Sequence, residues 1–370
     1  MQRITSHKEK SVVGRLVRPL ALAVLLVFGA AMGMTGSPSL EIETVWAQQS
    51  GAVPGGVLGN TSDAELWRKI RRGVEGSVTI PDKKAGVLVS SGGDNWRAFR
   101  NGPISTWGGW ALLGVFVVLI AYFVLHGRIR VNSGLSGRTV ERFNAIERFS
   151  HWLTASSFVV LGLTGLNVMY GRYVIQPVLG SEAFATLTYW GKLAHNYVGF
   201  AFMVGLALMI VFYIKNNMPV REDLTWLAKG GGMFSKGAHP PAGKINAGQK
   251  ILFWLVVIGG VSISLTGLAL IFPFQIALFE GTFGILNLFG FGLPTELSMT
   301  AETQLSQAWH AIMGLALVVL IIAHVYLGTI GMEGAFDAMY TGEVDENWAK
   351  EHHNKWAKDL GLSDGSHPAE

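Results

Sequence analysis

Residues 308–329 read AWHAIMGLALVVLIIAHVYLGT, an uncharged and mostly apolar run that contains two histidines. A transmembrane helix needs about 20 such residues, so this run predicts a helix that crosses a membrane. His310 and His324 are fourteen residues apart, which is about 21 Å along a helix that rises 1.5 Å per residue. Fourteen steps of about 100° return to nearly the same side. The run therefore predicts two polar side chains on one helix face, at two depths.

The composition of the whole chain agrees with a membrane protein. Of its 370 residues, 50% are hydrophobic and 15% are charged, and its mean hydropathy is +0.37. A soluble domain usually carries about 25% charged residues. Four further apolar runs have the length of a span: 107–125, 152–170, 197–214 and 251–272. We therefore predict an all-α membrane protein with five transmembrane helices.

The chain contains no cysteine, and this excludes several kinds of redox site. Thiolates cannot hold an iron–sulfur cluster, and haem cannot be attached covalently through a Cys-x-x-Cys-His motif. Any redox role must therefore depend on histidine ligands or on the cofactors of a partner.

The N-terminal part has the features of an exported segment. Residues 1–47 combine a basic start, an apolar stretch and a possible cleavage point before Gln48, so we interpret them as a signal peptide or an N-terminal anchor. Residues 48–106 are then periplasmic. The apolar segment 274–292 is interrupted by Glu280 and several glycines, which indicates a re-entrant or interfacial stretch. If this segment crossed the membrane, every part of the chain after it would lie on the opposite side of the membrane from the one assigned below.

Basic residues in the loops predict the orientation. Eleven lie in the loops after the first and third spans: Arg128, Arg130, Arg138, Arg142, Arg148, Lys215, Arg221, Lys229, Lys236, Lys244 and Lys250. The other two loops carry Arg172 and Lys192. Because cytoplasmic loops are enriched in Lys and Arg, we place the basic loops and the tail 331–370 in the cytoplasm of a bacterium, with the chain in its inner membrane.

Four of the ten histidines are candidates for chemistry. Five others lie in polar segments, and we interpret them as solvated: His7, His239, His352, His353 and His367. His126 ends the first span and is interpreted as interfacial. The remaining four are in or beside apolar runs, where polar side chains are costly and usually functional: His151, His195, His310 and His324.

The predicted topology pairs these four histidines by depth. His151 and His324 are near the cytoplasmic face, whereas His195 and His310 are near the periplasmic face. The two pairs are therefore the predicted axial ligands of two b-type haems. Iron with two histidine ligands has no open position for oxygen, which indicates electron transfer. Zinc is the main rival, but two ligands per depth without acidic or thiol companions argue against it.

Two similar tetrapeptides lie in the second and fourth spans, Leu163-Thr164-Gly165-Leu166 and Leu265-Thr266-Gly267-Leu268. Gly165 is on nearly the same helix side as His151, fourteen residues away, and would leave room for the periplasmic porphyrin. Gly314 lies one turn from His310. Ordinary packing of small residues between membrane helices is the alternative for these glycines.

Three stretches resemble one family. They are ERFNAIERFSHW at Glu141–Trp152, KINAGQK at Lys244–Lys250, and GMEGAFDAMY at Gly331–Tyr340 with the following Trp348 and His353. They resemble formate dehydrogenase gamma subunits, the cytochrome b556 membrane subunits, in the longer proteobacterial type with an exported N-terminal extension.

The resemblance covers roughly residues 140–356. It implies a transmembrane di-haem four-helix cytochrome b domain at 140–330. The additional transmembrane helix predicted at 107–126 lies outside the resemblance, and the shorter relatives do not inform its role. The resemblance also implies two partners, an iron–sulfur beta subunit and a catalytic alpha subunit that contains molybdenum or tungsten. This chain would then anchor the complex.

The resemblance further implies a quinone pocket, for ubiquinone or menaquinone, that Asn246, Gly248 and His324 line. Independently, a polar turn that contains glycine precedes the fourth span. This turn is at the depth where a quinone head could meet the cytoplasmic haem.

Other functions remain open at this stage. The cytochrome b subunit of a membrane-bound nickel–iron hydrogenase would share the helices and haems, although the tail stretch favours formate. A transporter would predict broken helices with charges at mid-membrane, and the last four spans lack interior charge. A structural anchor without cofactor would leave four histidines at two matched depths unexplained.

Overall fold

The computed structural model describes residues 76–77, 87–89, 92–232 and 240–362. These residues belong to one compact unit, 64–370. The predictions for residues 1–47, for most of 48–91, and for His7, His239 and His367 lie outside the described residues.

The described part is built almost entirely from helices. In chain order the elements are β1 Gly76–Ser77, β2 Val87–Val89, α1 Gly92–Phe99, α2 Ser105–His126, β3 Thr139–Glu141, α3 Ala145–Val174, α4 Gln176–Leu179, α5 Ser181–Tyr213, α6 Arg221–Ala228, α7 Ala247–Ile271, α8 Phe279–Asn287, α9 Met299–Tyr326, α10 Asp337–Tyr340, β4 Glu343–Asp345, α11 Glu346–His352 and α12 Asn354–Asp359. Short π-helical segments, Arg100–Ile104 and Leu327–Gly331, adjoin α2 and α9.

In the part of the chain that the structure describes, five helices are long and apolar enough to cross a membrane: α2, α3, α5, α7 and α9. The predicted all-α membrane fold with five spans is therefore confirmed. Several helices continue past the apolar runs, and α5 begins at Ser181 although its apolar run begins near residue 197. His195 consequently lies in the interior of α5.

Asparagine residues fix where α3 and α7 begin. The Asn144 side chain accepts a hydrogen bond from the backbone N–H of Glu147, whose carboxylate accepts one from the Asn144 N–H, both at 2.9 Å. Asn246 and Gln249 form the same reciprocal box at 2.9 and 3.1 Å. Such a box satisfies backbone donors that have no partner inside the helix.

Four of the long helices form a bundle in which α3 packs against α5, α5 against α7, and α7 against α9. Gly205 allows a close approach of α3 and α5. A Cβ at this position would lie 2.7 Å from Thr154 Oγ1 and 2.9 Å from the Thr154 backbone nitrogen. The two helices therefore meet backbone to backbone at this point.

The first span, α2, packs against α9 outside this bundle. Gly108 is buried against Leu315 of α9 and Tyr170 of α3. The Tyr170 hydroxyl donates a 2.8 Å hydrogen bond to the carbonyl of Ser105. These contacts join the additional helix to two helices of the bundle.

The segment 274–292 does not span, in agreement with the sequence. Its helix, α8, has nine residues, or about 14 Å at 1.5 Å per residue, against a hydrocarbon core of about 30 Å. The buried carboxylate of Glu302 accepts hydrogen bonds from the backbone N–H groups of Leu278, Phe279 and Glu280 at 3.0, 2.9 and 2.6 Å. This carboxylate ties the start of α8 to α9.

The C-terminal tail folds back onto the loop between α2 and α3. Strands β3 and β4 pair antiparallel. The carboxylates of Glu333, Asp345 and Glu351 accept hydrogen bonds from loop N–H groups at 3.1, 2.9 and 2.8–2.9 Å. We call the membrane face at which α3 and α7 begin and α9 ends the tail face, and the other face the opposite face.

Candidate functional site

The bundle brings the four candidate histidines together as two pairs. His195 of α5 and His310 of α9 have ring centroids 6.1 Å apart. His151 of α3 and His324 of α9 have centroids 6.2 Å apart. We call these the opposite-face pair and the tail-face pair. His126 stacks on Tyr122 of its own helix.

The spacing within each pair fits an iron atom between two imidazoles. Two bonds of about 2 Å, with about 1 Å from each ring centre to its coordinating nitrogen, hold the centroids about 6 Å apart. Both observed separations match this value. Among the described residues, no group of three or more His, Cys, Asp or Glu is arranged to hold a metal ion. The histidines thus meet as pairs, the donor set of a bis-histidine haem.

A threonine contacts each histidine of the opposite-face pair. Thr164 Oγ1 lies 2.8 Å from His195 Nδ1, and Thr266 Oγ1 lies 3.1 Å from His310 Nδ1. The two threonines occupy the same position in the two Leu-Thr-Gly-Leu tetrapeptides. Sequence reasoning overlooked them, although the repetition of the tetrapeptide was a usable signal.

The adjoining glycines lie against the same imidazoles. A Cβ at Gly165 would lie 3.6 Å from His195 Cε1, and a Cβ at Gly267 would lie 3.4 Å from His310 Cε1. Gly314 instead faces Ile263 of α7, which is ordinary packing between helices. Two of the three glycines thus flank the opposite-face pair.

The tail-face pair has a different environment. His151 Nδ1 is buried and has no hydrogen-bond partner in the described part of the chain. The ring contacts Trp152 edge to face at 5.3 Å, and the Trp152 indole donates to the carbonyl of Met339 at 2.9 Å. The tail therefore contributes to the surroundings of this pair.

The candidate quinone residues Asn246 and Gly248 lie in the first turn of α7. The Asn246 side chain caps its own helix. A Cβ at Gly248 would lie 2.9 Å from Trp226 Cη2, so the α6 indole covers this glycine. The nearest atoms to that position belong to Trp226 and Asn246, and none belongs to His324.

The interpretation of His353 as a solvated residue is wrong. It is 1% exposed, its Nδ1–H donates to the carbonyl of Gly243 at 2.7 Å, and Arg142 Nη2 donates to its Nε2 at 2.9 Å. Arg142 also donates to Gln249 Oε1 at 3.2 Å. The polar sequence around His353 could not show this burial, because it is produced by the tail packing against two distant loops.

Burial dominates the electrostatics of this contact. It lowers the pKa of His353 well below its ordinary value, and the neighbouring Arg142 charge lowers it further. Burial likewise lowers the pKa of Arg142 to about 9. His353 is therefore neutral in the folded protein, with its Nε2 lone pair available to the guanidinium.

Acidification should consequently loosen the tail. Protonated His353 would lose its acceptor and face Arg142 as a second cation. Stability is complete above the unfolded pKa of about 6.5 and falls below it, by up to about 1.4 kcal/mol per pH unit for one proton. Thermal unfolding at pH 7.5 and 5.5 checks this. The variant His353→Gln should lose less stability than the wild type, and equal losses would contradict the prediction.

Paired, partly buried histidines inside an apolar helix bundle define the class of membrane cytochromes b. The sequence profile of the prokaryotic cytochrome b561 family matches residues 142–342, which include both pairs and begin after α2. The chain belongs to this family, and family membership implies haem b.

Named relatives agree with this assignment. The chain is 26% identical over 227 residues to the cytochrome b556(Fdn) subunit of the nitrate-inducible formate dehydrogenase of Escherichia coli (strain K12), covering 60% of this chain and 92% of the relative. A formate dehydrogenase cytochrome b556 subunit of Haemophilus influenzae is 26% identical over 220 residues, covering 58% and 81%. A probable Ni/Fe-hydrogenase B-type cytochrome subunit of Azotobacter chroococcum is 28% identical over 203 residues, covering 50% and 78%.

Proposed function

We propose that this chain is the membrane cytochrome b subunit of a respiratory formate dehydrogenase. It would anchor an iron–sulfur subunit and a molybdenum- or tungsten-containing catalytic subunit, and conduct their electrons to a membrane quinone. The observation that carries the proposal is the presence of two histidine pairs, at 6.1 and 6.2 Å, on the scaffold of a family that binds haem b. Formate oxidation itself would belong to the catalytic subunit.

In this proposal the chain holds two haems b. His195 and His310 would ligate the first, and His151 and His324 the second. The haems would supply reversible one-electron transfer between the two faces of the membrane. The protein would hold the imidazoles in pairs and surround them with apolar helices. Because the chain contains no cysteine, any iron–sulfur cluster would belong to a partner subunit.

The loops support an orientation with the tail face in the cytoplasm. Ten of the eleven basic residues lie in described segments that join the spans at the tail face, whereas the segments that join them at the opposite face carry two. Electrons would enter from a periplasmic iron–sulfur subunit at the opposite-face pair and leave at the tail face.

We propose the quinone site at the tail face, near Asn246, Gly248 and His324. The support is the family resemblance of the turn before α7, together with a polar and aromatic setting there. Lys250 and Asp223 form a largely buried ion pair at 2.9 Å beside this turn, and Trp226 of the same short helix covers Gly248. The quinone head would take its protons from the cytoplasmic side.

The haem content gives a direct test. The purified chain should yield two haems b per polypeptide in the pyridine haemochrome assay, with bis-histidine low-spin spectra. In the native complex, formate should reduce both haems and added quinone should reoxidise them. A content of one haem or none would contradict the pairing. Reduction by hydrogen and not by formate would favour the hydrogenase subunit, the alternative that the Azotobacter relative represents.

A further inference from the structure

The second and fourth spans carry the same set of residues at the same spacing. Each begins with an asparagine capping box, Asn144 in α3 and Asn246 in α7. Each then places a Thr-Gly dipeptide at the same distance along its helix, at Thr164 and Thr266. Each threonine contacts the histidine of the next membrane-spanning helix, α5 or α9. The same contact is therefore formed twice, by two separate pairs of helices.

The direction of each hydrogen bond follows from the threonine's own partners. Thr164 Oγ1 donates its single proton to the carbonyl of Val160 at 2.7 Å. Thr266 Oγ1 donates to the carbonyl of Ile263 at 3.1 Å or that of Ser262 at 3.2 Å. A hydroxyl that donates to its own helix can accept from an imidazole N–H, and the proposed ligation of iron through Nε2 requires that this N–H be on Nδ1.

The histidines must therefore carry their proton on Nδ1. His195 and His310 donate from Nδ1 to the two hydroxyls, which leaves each Nε2 with its lone pair free for iron. The glycine after each threonine lies beside the imidazole edge, with projected Cβ distances of 3.6 and 3.4 Å to Cε1. The hydroxyl fixes the tautomer and the rotation of each ring.

We propose that Thr164 and Thr266 are positioning residues that hold the haem ligands of the opposite-face pair and lower the midpoint potential of that haem. An imidazole that donates from Nδ1 is a stronger electron donor to its metal, and it stabilises the ferric state. This inference depends on the proposed ligation by His195 and His310. In the tail-face pair, His151 has no such hydrogen bond, because its Nδ1 has no partner in the described part of the chain.

The test is a redox titration of the assembled complex, followed optically and by electron paramagnetic resonance. Thr164→Val and Thr266→Val remove the hydroxyl at nearly constant volume. Thr164→Ser and Thr266→Ser keep it. Ser264→Ala is the matched control, because Ser264 donates to the carbonyl of Gly260 at 2.7 Å on the same helix as Thr266.

The valine variants should raise the potential of one haem and shift its low-spin signal, while the other haem stays unchanged. The serine variants and the control should behave as the wild type. If a valine variant loses one haem, retention of that haem in the serine variant supports the hydroxyl role. An unchanged or lowered potential in both valine variants, or serine variants that behave as valine, would overturn the proposal.

Haem ligation by the histidines and positioning by the threonines are tested by separate variants. If His195 and His310 do not bind haem, then His195→Ala and His310→Ala retain the full haem content. If only the threonine role is wrong, those variants lose a haem and the threonine variants keep wild-type potentials.

Discussion

Replacing His195 by alanine should remove one of two haems and stop formate from reducing the other. The physical reason is position. The opposite-face pair is the nearer of the two to the face at which we place the iron–sulfur partner, and the tail-face pair lies deeper along α9. His324 is fourteen positions after His310, which separates the pairs by about 21 Å along the helix. Electrons that bypass the first haem would have to cross this added distance.

The measurement is formate-driven reduction, followed spectroscopically in the assembled complex. Copurification of the partner subunits establishes assembly, because a lost haem leaves a cavity that weakens the bundle. His126→Ala is the control, since His126 stacks on Tyr122 of its own helix and belongs to neither pair. Normal reduction of the remaining haem in His195→Ala would show that the serial order is wrong.

His324→Ala should have the complementary effect. It should remove the tail-face haem and leave the opposite-face haem reducible by formate, but quinone should no longer reoxidise it efficiently. If quinone reoxidises the opposite-face haem at the normal rate, the electron exit does not lie at the tail face.

Replacing Gly205 by valine should disrupt the bundle itself. Its projected Cβ lies 2.7–2.9 Å from side-chain and backbone atoms of Thr154, and backbone atoms cannot rotate away as a flexible side chain can. The helices α3 and α5 would have to separate, and overpacking of this kind typically costs about 1–3 kcal/mol. Because α3 carries His151 and α5 carries His195, we expect loss of haem as well as a lower melting temperature.

Gly114→Val is the matched control for Gly205→Val. Gly114 also lies in a membrane helix, but nothing is within 4 Å of its projected Cβ. Thermal unfolding and haem content should therefore stay near the wild-type values in this variant. Equal damage from both substitutions would mean that helix propensity, and not the close approach to Thr154, causes the loss.

The histidine geometry was accessible from the sequence because it depends on arithmetic along single helices. The spacing of His310 and His324 sets their separation along α9 and places them on one face of that helix. The membrane sides at which α3 and α5 begin set the depths of His151 and His195, which match those of His324 and His310. The start of α5 could not be predicted from the sequence, since the first turns of this helix, from Ser181, are polar enough to resemble a loop. The hydropathy of a run marks the lipid boundary and not the end of the helix.

Contacts between distant segments account for the rest. Thr164 looks like a small residue beside a glycine until α5 brings His195 against it. His353 sits in a sequence of polar residues, and its burial requires Arg142 and Gly243 from two separate loops. The sequence around a residue does not identify partners that are distant in the chain. The repetition of the Leu-Thr-Gly-Leu tetrapeptide at Thr164 and Thr266 nevertheless indicates that these threonines have a shared role.

The interlock between the tail and the α2–α3 loop also constrains the order of biosynthesis. The N–H of Val131 bonds to Glu333, a residue 202 positions later in the chain. At a ribosomal rate of about 5–20 residues per second, the loop waits about 10–40 s for its partner. Throughout that time its N–H groups meet water or a chaperone. A chain that ended shortly before residue 331 would therefore contain all five described spans but would leave the loop N–H groups without their carboxylate partners.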